Sequence, residues 1–351
     1  MRERTLLTMV KKGIVAILLV VALVAVFAGC QQPQPATTPT PTPTPTMPKI
    51  TSLTIASGTV GGVYIYYCSG LAFIYSKYLN ISANAVQTKA SVDNLLYVYK
   101  SPNDTIGISL IKSVHDAWHG NLDAFEKKPQ NWIRVLWVTY VTPIHIVTTS
   151  DSGIKTVYDL KGKRVSTGAP GSGTEIDALA ILSAAGIDPS KDFSVWQKLG
   201  AKESADALLD GKLDAYFWSG TIPTASVSEL ATNLKQRGKQ IAFVAIPDDV
   251  VKKLNEMYPG LYVSDVMKKE YYDSPADVQT VSTLNVIFCH KDLPEDFVYM
   301  LVKTTFEHLD DLYAVHPAAK QTTIQNAVIY KGDVPYHPGA LKYYKEKGVL
   351  K

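Results

Sequence analysis

The chain has 351 residues, 46% of them hydrophobic and 19% charged, with a formal net charge of +3. That near-neutral balance gives no electrostatic footprint for nucleic acid. The apolar content is enough to bury substantial cores.

Arg2, Arg4, Lys11 and Lys12 precede an uncharged apolar run from Gly13 to Gly29. A basic segment ahead of a short apolar one opens a secretory signal, read here as residues 1–29. The run ends in Phe27-Ala28-Gly29-Cys30, which resembles a bacterial lipobox with Phe27 in the usual leucine position, so Cys30 is the expected lipidation site. An uncleaved anchor is the competing reading, because the run is at the lower edge of what spans a bilayer. Either way the rest of the chain is expected outside the cytoplasm, at the outer face of the cell membrane. Gln, Pro and Thr dominate onward from Cys30, and 30–48 reads as anchor and spacer, since alternating proline favours a stiff, extended chain. Cys68 and Cys289 lie in apolar surroundings, where a disulfide and two separate buried thiols are equally open.

About 300 residues follow, enough for two domains of ordinary size. Lys49 to Ala56 alternates as a strand, runs into the glycine turn Ser57-Gly58-Thr59-Val60-Gly61-Gly62, and gives way to a helix carrying Val63, Tyr67, Leu71, Ile74 and Tyr78. A helix over 91–98, a strand over 105–110, a helix near 113–118 and a strand over 133–139 come next. Thr142 to Thr148 is a second extended run. Strand 163–167, the turn Gly168-Ala169-Pro170-Gly171-Ser172-Gly173-Thr174 and a helix from Glu175 repeat the strand, turn and helix order seen at 53–79. Further strands are expected at 193–197, 213–218, 241–246 and 283–289, with helices at 204–209, 297–313 and 340–347. Strands alternating with helices predict α/β layers around a mostly parallel sheet.

Helix N-termini carry unpaired amides and partial positive charge, and glycine lets backbone approach a ligand closely. Gly58, Gly61, Gly62, Gly171 and Gly173 suit an anion site, with hydroxyls from Ser57, Thr59, Ser172 and Thr174. The plainer reading is that these glycines only shape tight turns. Thr174-Glu175 stands where a phosphate loop needs Lys-Ser/Thr, no G-x-G-x-x-G is present, and Ser172 lacks the glycines of a nucleophile elbow. His115 and His119 share a helix face in His115-Asp116-Ala117-Trp118-His119, with aspartate where zinc proteases carry glutamate. No third ligand is apparent in the sequence, so no metal site is expected and the pair reads as a solvated or capping helix end. No nucleophile, base and orienting group assemble, which argues against an enzyme such as an extracellular hydrolase.

The order of segments resembles the TAXI family of solute-binding proteins, the extracytoplasmic receptors of one class of TRAP transporters. It is carried by Ile55 to Tyr64, Ser91-Val92-Asp93-Asn94-Leu95, Gly153 to Val165, Gly168 to Glu175, Asp210 to Phe217 with Gly220 and Pro223, and Val334 to Ala340. The resemblance implies a two-lobed type II periplasmic-binding-protein fold with a ligand cleft between lobes. Lobe 1 is expected over 49–143 plus 280–351 and lobe 2 over 144–279, with crossing strands near 140–146 and 275–285. It also implies TRAP membrane subunits as partner, coupled to sodium, and no cofactor. The implied ligand is a small carboxylate, a dicarboxylate or acidic amino acid such as glutamate or 2-oxoglutarate. By position the site takes Ser57, Gly58, Thr59, Gly61, Gly62 and Tyr64, then Ser91 and Asn94, then Gly171, Ser172, Gly173 and Thr174, with Trp218 and Pro223 at its border. Ile111-Lys112-Ser113 departs from the serine-aspartate pair the family often carries. Beyond the spacer the chain has only Arg134, Arg164 and Arg237, none in these loops, so neutral donors are expected to hold the carboxylate. A lipid-anchored sensor would use the same fold with a different partner.

Overall fold

The computed structural model describes residues 50–350. The expected signal segment, Cys30 and the spacer lie outside the described residues. Among the described residues no helix is long and apolar enough to cross a membrane.

In chain order, β1 (Ser52–Ala56) leads to α1 (Tyr64–Leu79), β2 (Ser82–Val86), α2 (Ser91–Lys100), β3 (Thr105–Leu110) and α3 (Ile111–His119). Next come the long strand β4 (Ile133–Thr149), β5 (Arg164–Ser166), α4 (Gly173–Ala184), the single turn α5 (Pro189–Asp192) and β6 (Val195–Gln197). They are followed by α6 (Ala201–Leu209), β7 (Ala215–Ser219), α7 (Ala225–Gln236), β8 (Ile241–Phe243), α8 (Asp248–Met257) and β9 (Val263–Met267). A second long strand, β10 (Val278–His290), then α9 (Glu295–Glu307), α10 (Leu309–Tyr313) and α11 (Pro338–Glu346) complete the chain.

The strands form a mixed sheet in the order β2-β1-β3-β10-β4-β7-β5-β6, with β8 beside β4 and β9 beside β10. The pairs β1–β2, β1–β3, β5–β6 and β5–β7 are parallel, and helices supply the crossovers that parallel pairing requires. β4 and β10 run antiparallel to each other and to their neighbours. β4 pairs with β10 up to Pro143, and from Ile144 it pairs with β7 and then β8. β10 pairs with β9 up to Ser282 and with β4 and β3 beyond it. The two expected runs at 133–139 and 142–148 are thus one strand, with Pro143, which has no amide hydrogen, at the handover. The result is a two-lobed α/β architecture threaded by two shared strands.

Helices cover both faces of the sheet. α1 turns Tyr67, Leu71 and Ile74 inward, spaced by one helical turn, against Val298 and Leu301 of α9 and Tyr344 of α11. Burying each such side chain fully contributes about 1.5–3 kcal/mol. α1 stops at Asn80, whose left-handed φ of 53° ends the helix. On the opposite face, Leu95 of α2 and Val114 of α3 share one apolar cluster with Ile181 of α4. Leu208, Leu230 and Leu234 of α6 and α7 pack on Val147 and Phe243. The helix expected over 297–313 divides at His308, and β2, α5, α7, α8 and β9 were not anticipated from the sequence pattern. Cys68 and Cys289 are both buried and form no disulfide among the described residues.

Candidate ligand-binding cavity

The glycine turns after β1 and β5 meet at a cavity of about 40 Å³ between the two halves of the sheet. Its walls include the start of α1 (Val63, Tyr64), the start of α2 (Ala90, Ser91), the start of α4 (Ser172, Gly173, Thr174) and the approach to α6 (Leu199, Gly200). Four helix amino ends therefore face one space, with the partial positive charge such ends carry. Among the described residues no side chain caps α1, α2 or α6. At α4 the Ser172 hydroxyl accepts from the Glu175 amide, which leaves the earlier amides of that turn to the cavity. Among the described residues lining the cavity, Lys89 is the only charged one, and it is exposed at the rim.

The two halves touch around this space. The Val92 amide donates to the Gly171 carbonyl at 3.1 Å. A β-carbon on Gly173 would fall 2.4 Å from both Leu110 Cδ1 and Ser91 Oγ, so this close approach requires glycine. Gly168 is required for a different reason: its φ of 98° is left-handed, and a β-carbon would fall 2.8 Å from Thr174 Cβ. Ala90 adopts a φ of 76° without being glycine, a conformation that costs about 1–3 kcal/mol and concentrates at functional sites.

Polar groups converge from the crossing strands as well. Tyr140 of β4 is 2% exposed and lines the cavity, and its phenol has no hydrogen-bond partner among the described residues. Burial holds this phenol and that of Tyr64 well above their ordinary range, so both remain protonated donors. Tyr64 gives its hydroxyl to Asn285 Oδ1 at 2.7 Å. Asn285 Nδ2 in turn donates to the Tyr140 carbonyl at 3.0 Å and to Thr142 Oγ1 at 2.5 Å. Thr174 Oγ1 accepts from the Ser219 amide, and Trp218 anchors its indole N–H on Thr224 Oγ1 at 3.1 Å.

Of the residues expected from sequence, Gly58, Thr59, Gly62, Tyr64, Ser91, Ser172, Gly173, Thr174 and Trp218 line this cavity together. Ser57, Gly61, Asn94, Gly171 and Pro223 are not part of its wall. Ser57 turns its hydroxyl to the Val86 carbonyl. Asn94 is spent beneath the turn, donating to the Ser57 and Ile108 carbonyls at 2.6 and 2.7 Å and accepting from Thr88. Gly171 offers its carbonyl to Val92, and the Pro223 carbonyl meets His316 Nε2 at 3.2 Å. Sequence reasoning missed Lys89, Ala90, Tyr140, Thr142, Ser219 and Gly220. For Tyr140 and Thr142 the signal was present, because a crossing strand was expected there.

Behind the cavity lies a buried charged cluster. Asp177 of α4 accepts from Ser219 Oγ at 2.8 Å and from Tyr262 OH at 2.6 Å, and burial pushes its carboxyl up to about 6. Lys112, in the Ile111-Lys112-Ser113 segment, is 3% exposed, pairs with Asp116 and lies 4.0 Å from the centre of the Tyr258 ring. Apart from this cluster, His145 is fully buried between the Pro143 carbonyl and the Tyr272 hydroxyl, and burial lowers it to about 4.

The sequence model of the NMT1-like family matches residues 55–348. Among solved structures, the chain is similar to MatC from Rhodopseudomonas palustris with bound malate, at 12% identity and a TM-score of 0.51, over 86% of this chain and 99% of that one. It is also similar to an R. palustris protein solved with adipate, at 14% identity and a TM-score of 0.47, over 85% of this chain and 93% of that one. The periplasmic aliphatic sulphonate binding protein SsuA from Escherichia coli matches at 13% identity and a TM-score of 0.41, over 84% of this chain and 78% of that one. The likeness to MatC is one of fold.

Proposed function

The chain belongs to the NMT1-like family, and from that premise we propose that it is an extracytoplasmic solute-binding receptor whose lobes close on a small carboxylate. The observation that carries this reading is the convergence of four helix amino ends on one enclosed space whose described lining holds no carboxylate. Each such end favours an anion by about 0.3–1 kcal/mol, and by up to about 2 when partly buried. MatC, which shares the fold, holds malate.

In this reading the Thr59, Ser91 and Thr174 hydroxyls and the first-turn amides bind the carboxylate. Tyr140 donates from the crossing strand, and Tyr64 and Trp218 form walls. Lys89 at the rim pairs with a second acidic group, as a dicarboxylate or acidic amino acid would supply. In this reading the lobes are residues 49–143 with 280–351, and 144–279, with residues 49 and 351 outside the described residues. The resemblance to the TAXI receptors supports delivery of the solute to sodium-coupled TRAP membrane subunits, and the lipobox-like Cys30 supports a lipid anchor. In this reading the protein acts by binding rather than by catalysis.

A melting screen against amino and carboxylic acids tests this. A shift with one acidic compound that grows with concentration is expected. Co-purified ligand is released by denaturation, identified by mass spectrometry and added back after refolding. No shift with any acid, and no released acid, would sink the reading.

A further inference from the structure

The histidines of α3 have a third partner that their sequence spacing could not reveal. His115 and His119 stand one turn apart with ring centroids separated by 4.3 Å. Asp333, far along the chain, brings Oδ2 to 2.6 Å from His119 Nε2. One donor atom from each of the three lies within 4.8 Å of the others. The Asp333 loop is held in place. The Val334 amide donates to the Tyr330 hydroxyl at 3.3 Å, and the Val135 amide and carbonyl bond to Pro335 and His337.

A second observation concerns the atoms behind the pair. His115 Nδ1 and Asp116 Oδ1 are both buried, neither has a hydrogen-bond partner among the described residues, and they face each other 3.5 Å apart. Asp116 is itself fixed by Lys112 through its other oxygen. A carboxylate that accepts from the distal nitrogen of an imidazole orients metal-ligating histidines and raises their basicity, and a shift of a few tenths of an ångström would bring Asp116 Oδ1 into that bond. An imidazolium–carboxylate pair would engage His119 and Asp333 and leave His115 idle. A metal ion engages all three.

We propose that His115, His119 and Asp333 form a binding site for a divalent transition metal, with Asp116 as the outer carboxylate. Two imidazoles and a carboxylate suit zinc and ions of similar preference. A zinc ion about 2.0–2.1 Å from each nitrogen requires the Asp333 oxygen to draw back from His119. Asp333 has room to do so, because its side chain is 50% exposed. The site sits at the far end of α3 from Leu110, which lines the cavity, so it is independent of the solute reading. Metal there would staple the 331–335 loop to α3, and the sides of the ion away from the protein are open to solvent.

The test uses the full chain in detergent micelles, stripped with EDTA and titrated with Zn²⁺ by calorimetry. One ion per chain is expected, with affinity reduced by at least about tenfold in Asp116→Asn and further in His119→Ala and Asp333→Asn. His119 and Asp333 are exposed, so their variants should melt as the parent does without metal. Co²⁺ supplies a second readout, a visible absorption band in the parent that is lost in His119→Ala. Absence of saturable binding overturns the proposal, and so does zinc binding that survives both His119→Ala and Asp333→Asn.

Discussion

The amide of Val92 donates to the carbonyl of Gly171 at 3.1 Å, so one first-turn amide of α2 is satisfied from across the cavity by the loop that opens α4. Beside this bond, Gly173 leaves no space for a β-carbon against Leu110 and Ser91. Overpacking of a tight contact costs about 1–3 kcal/mol. In Gly173→Ala that cost falls on the arrangement with the halves together. Affinity for the solute found in the melting screen should drop by about 10- to 100-fold, while the ligand-free melting temperature stays nearly unchanged. Calorimetry on the two proteins checks this, and unchanged affinity would contradict it.

Tyr140→Phe removes a buried hydroxyl that has no partner among the described residues. An unsatisfied buried polar group costs about 1–3 kcal/mol, whereas a hydrogen bond it makes to a ligand contributes about 0.5–1.5 and more to a charged group. The variant should therefore be as stable as the parent or more so in urea, and bind the solute about tenfold more weakly. A stability loss without an affinity loss would place the phenol outside ligand recognition.

Lys112→Met strands Asp116, whose carboxylate is buried beside it. Removing one partner of a buried pair costs about 3–5 kcal/mol, whereas replacing both by apolar residues is often neutral or stabilising. Urea unfolding should show a large loss in Lys112→Met and recovery in Lys112→Met with Asp116→Leu.

Asp177 and His145 pull the pH dependence of stability in opposite directions. Asp177 titrates near 6 when folded against an ordinary 3.8, because burial disfavours its charge. Its contribution is fully present below about 4 and is lost as pH rises through about 6. His145 titrates near 4 when folded against an ordinary 6.5, again through burial. Its contribution is present above about 6.5 and is lost as pH falls through about 4. Each amounts to at most about 3 kcal/mol. Relative to the parent, Asp177→Asn should gain stability as pH rises from 4 to 6, and His145→Gln should lose it. Chemical denaturation across that range reads both slopes, and either slope with the opposite sign refutes its assignment.

The repeat of strand, glycine turn and helix was legible because glycine, small hydroxyl residues and helical spacing are local signals, and both turns do reach one cavity. β2 was not legible, since Ser-Ala-Asn-Ala-Val offers little apolar alternation. α7 is similarly plain, with serine, threonine and asparagine between its few apolar positions. α8 carries Val250, Val251 and Leu254 on one buried face, a pattern that periodicity could have found. Asn94 shows the opposite failure. Its place in a motif suggested ligand contact, yet its amide is consumed by the carbonyls of Ser57 and Ile108. Asp333 was invisible beside the histidines because only the tertiary path of the C-terminal segment brings it there.

The position of β10 also sets the order in which the protein can be built. It is inserted between β3 and β4, pairing Ile106 with Cys289 about half the chain away. A ribosome that has made everything up to α8 has therefore made β1, β2 and β3 with an open edge where their neighbour belongs. The α9 and α11 surfaces that cover α1 are missing at that stage too. The portion synthesised first is thus completed last, and its assembly waits on contacts of long sequence separation, which are slow to form. A chain truncated ahead of Val278 should retain the β5–β6–β7 core as its most nearly complete part and leave its N-terminal strands exposed to pairing with other copies.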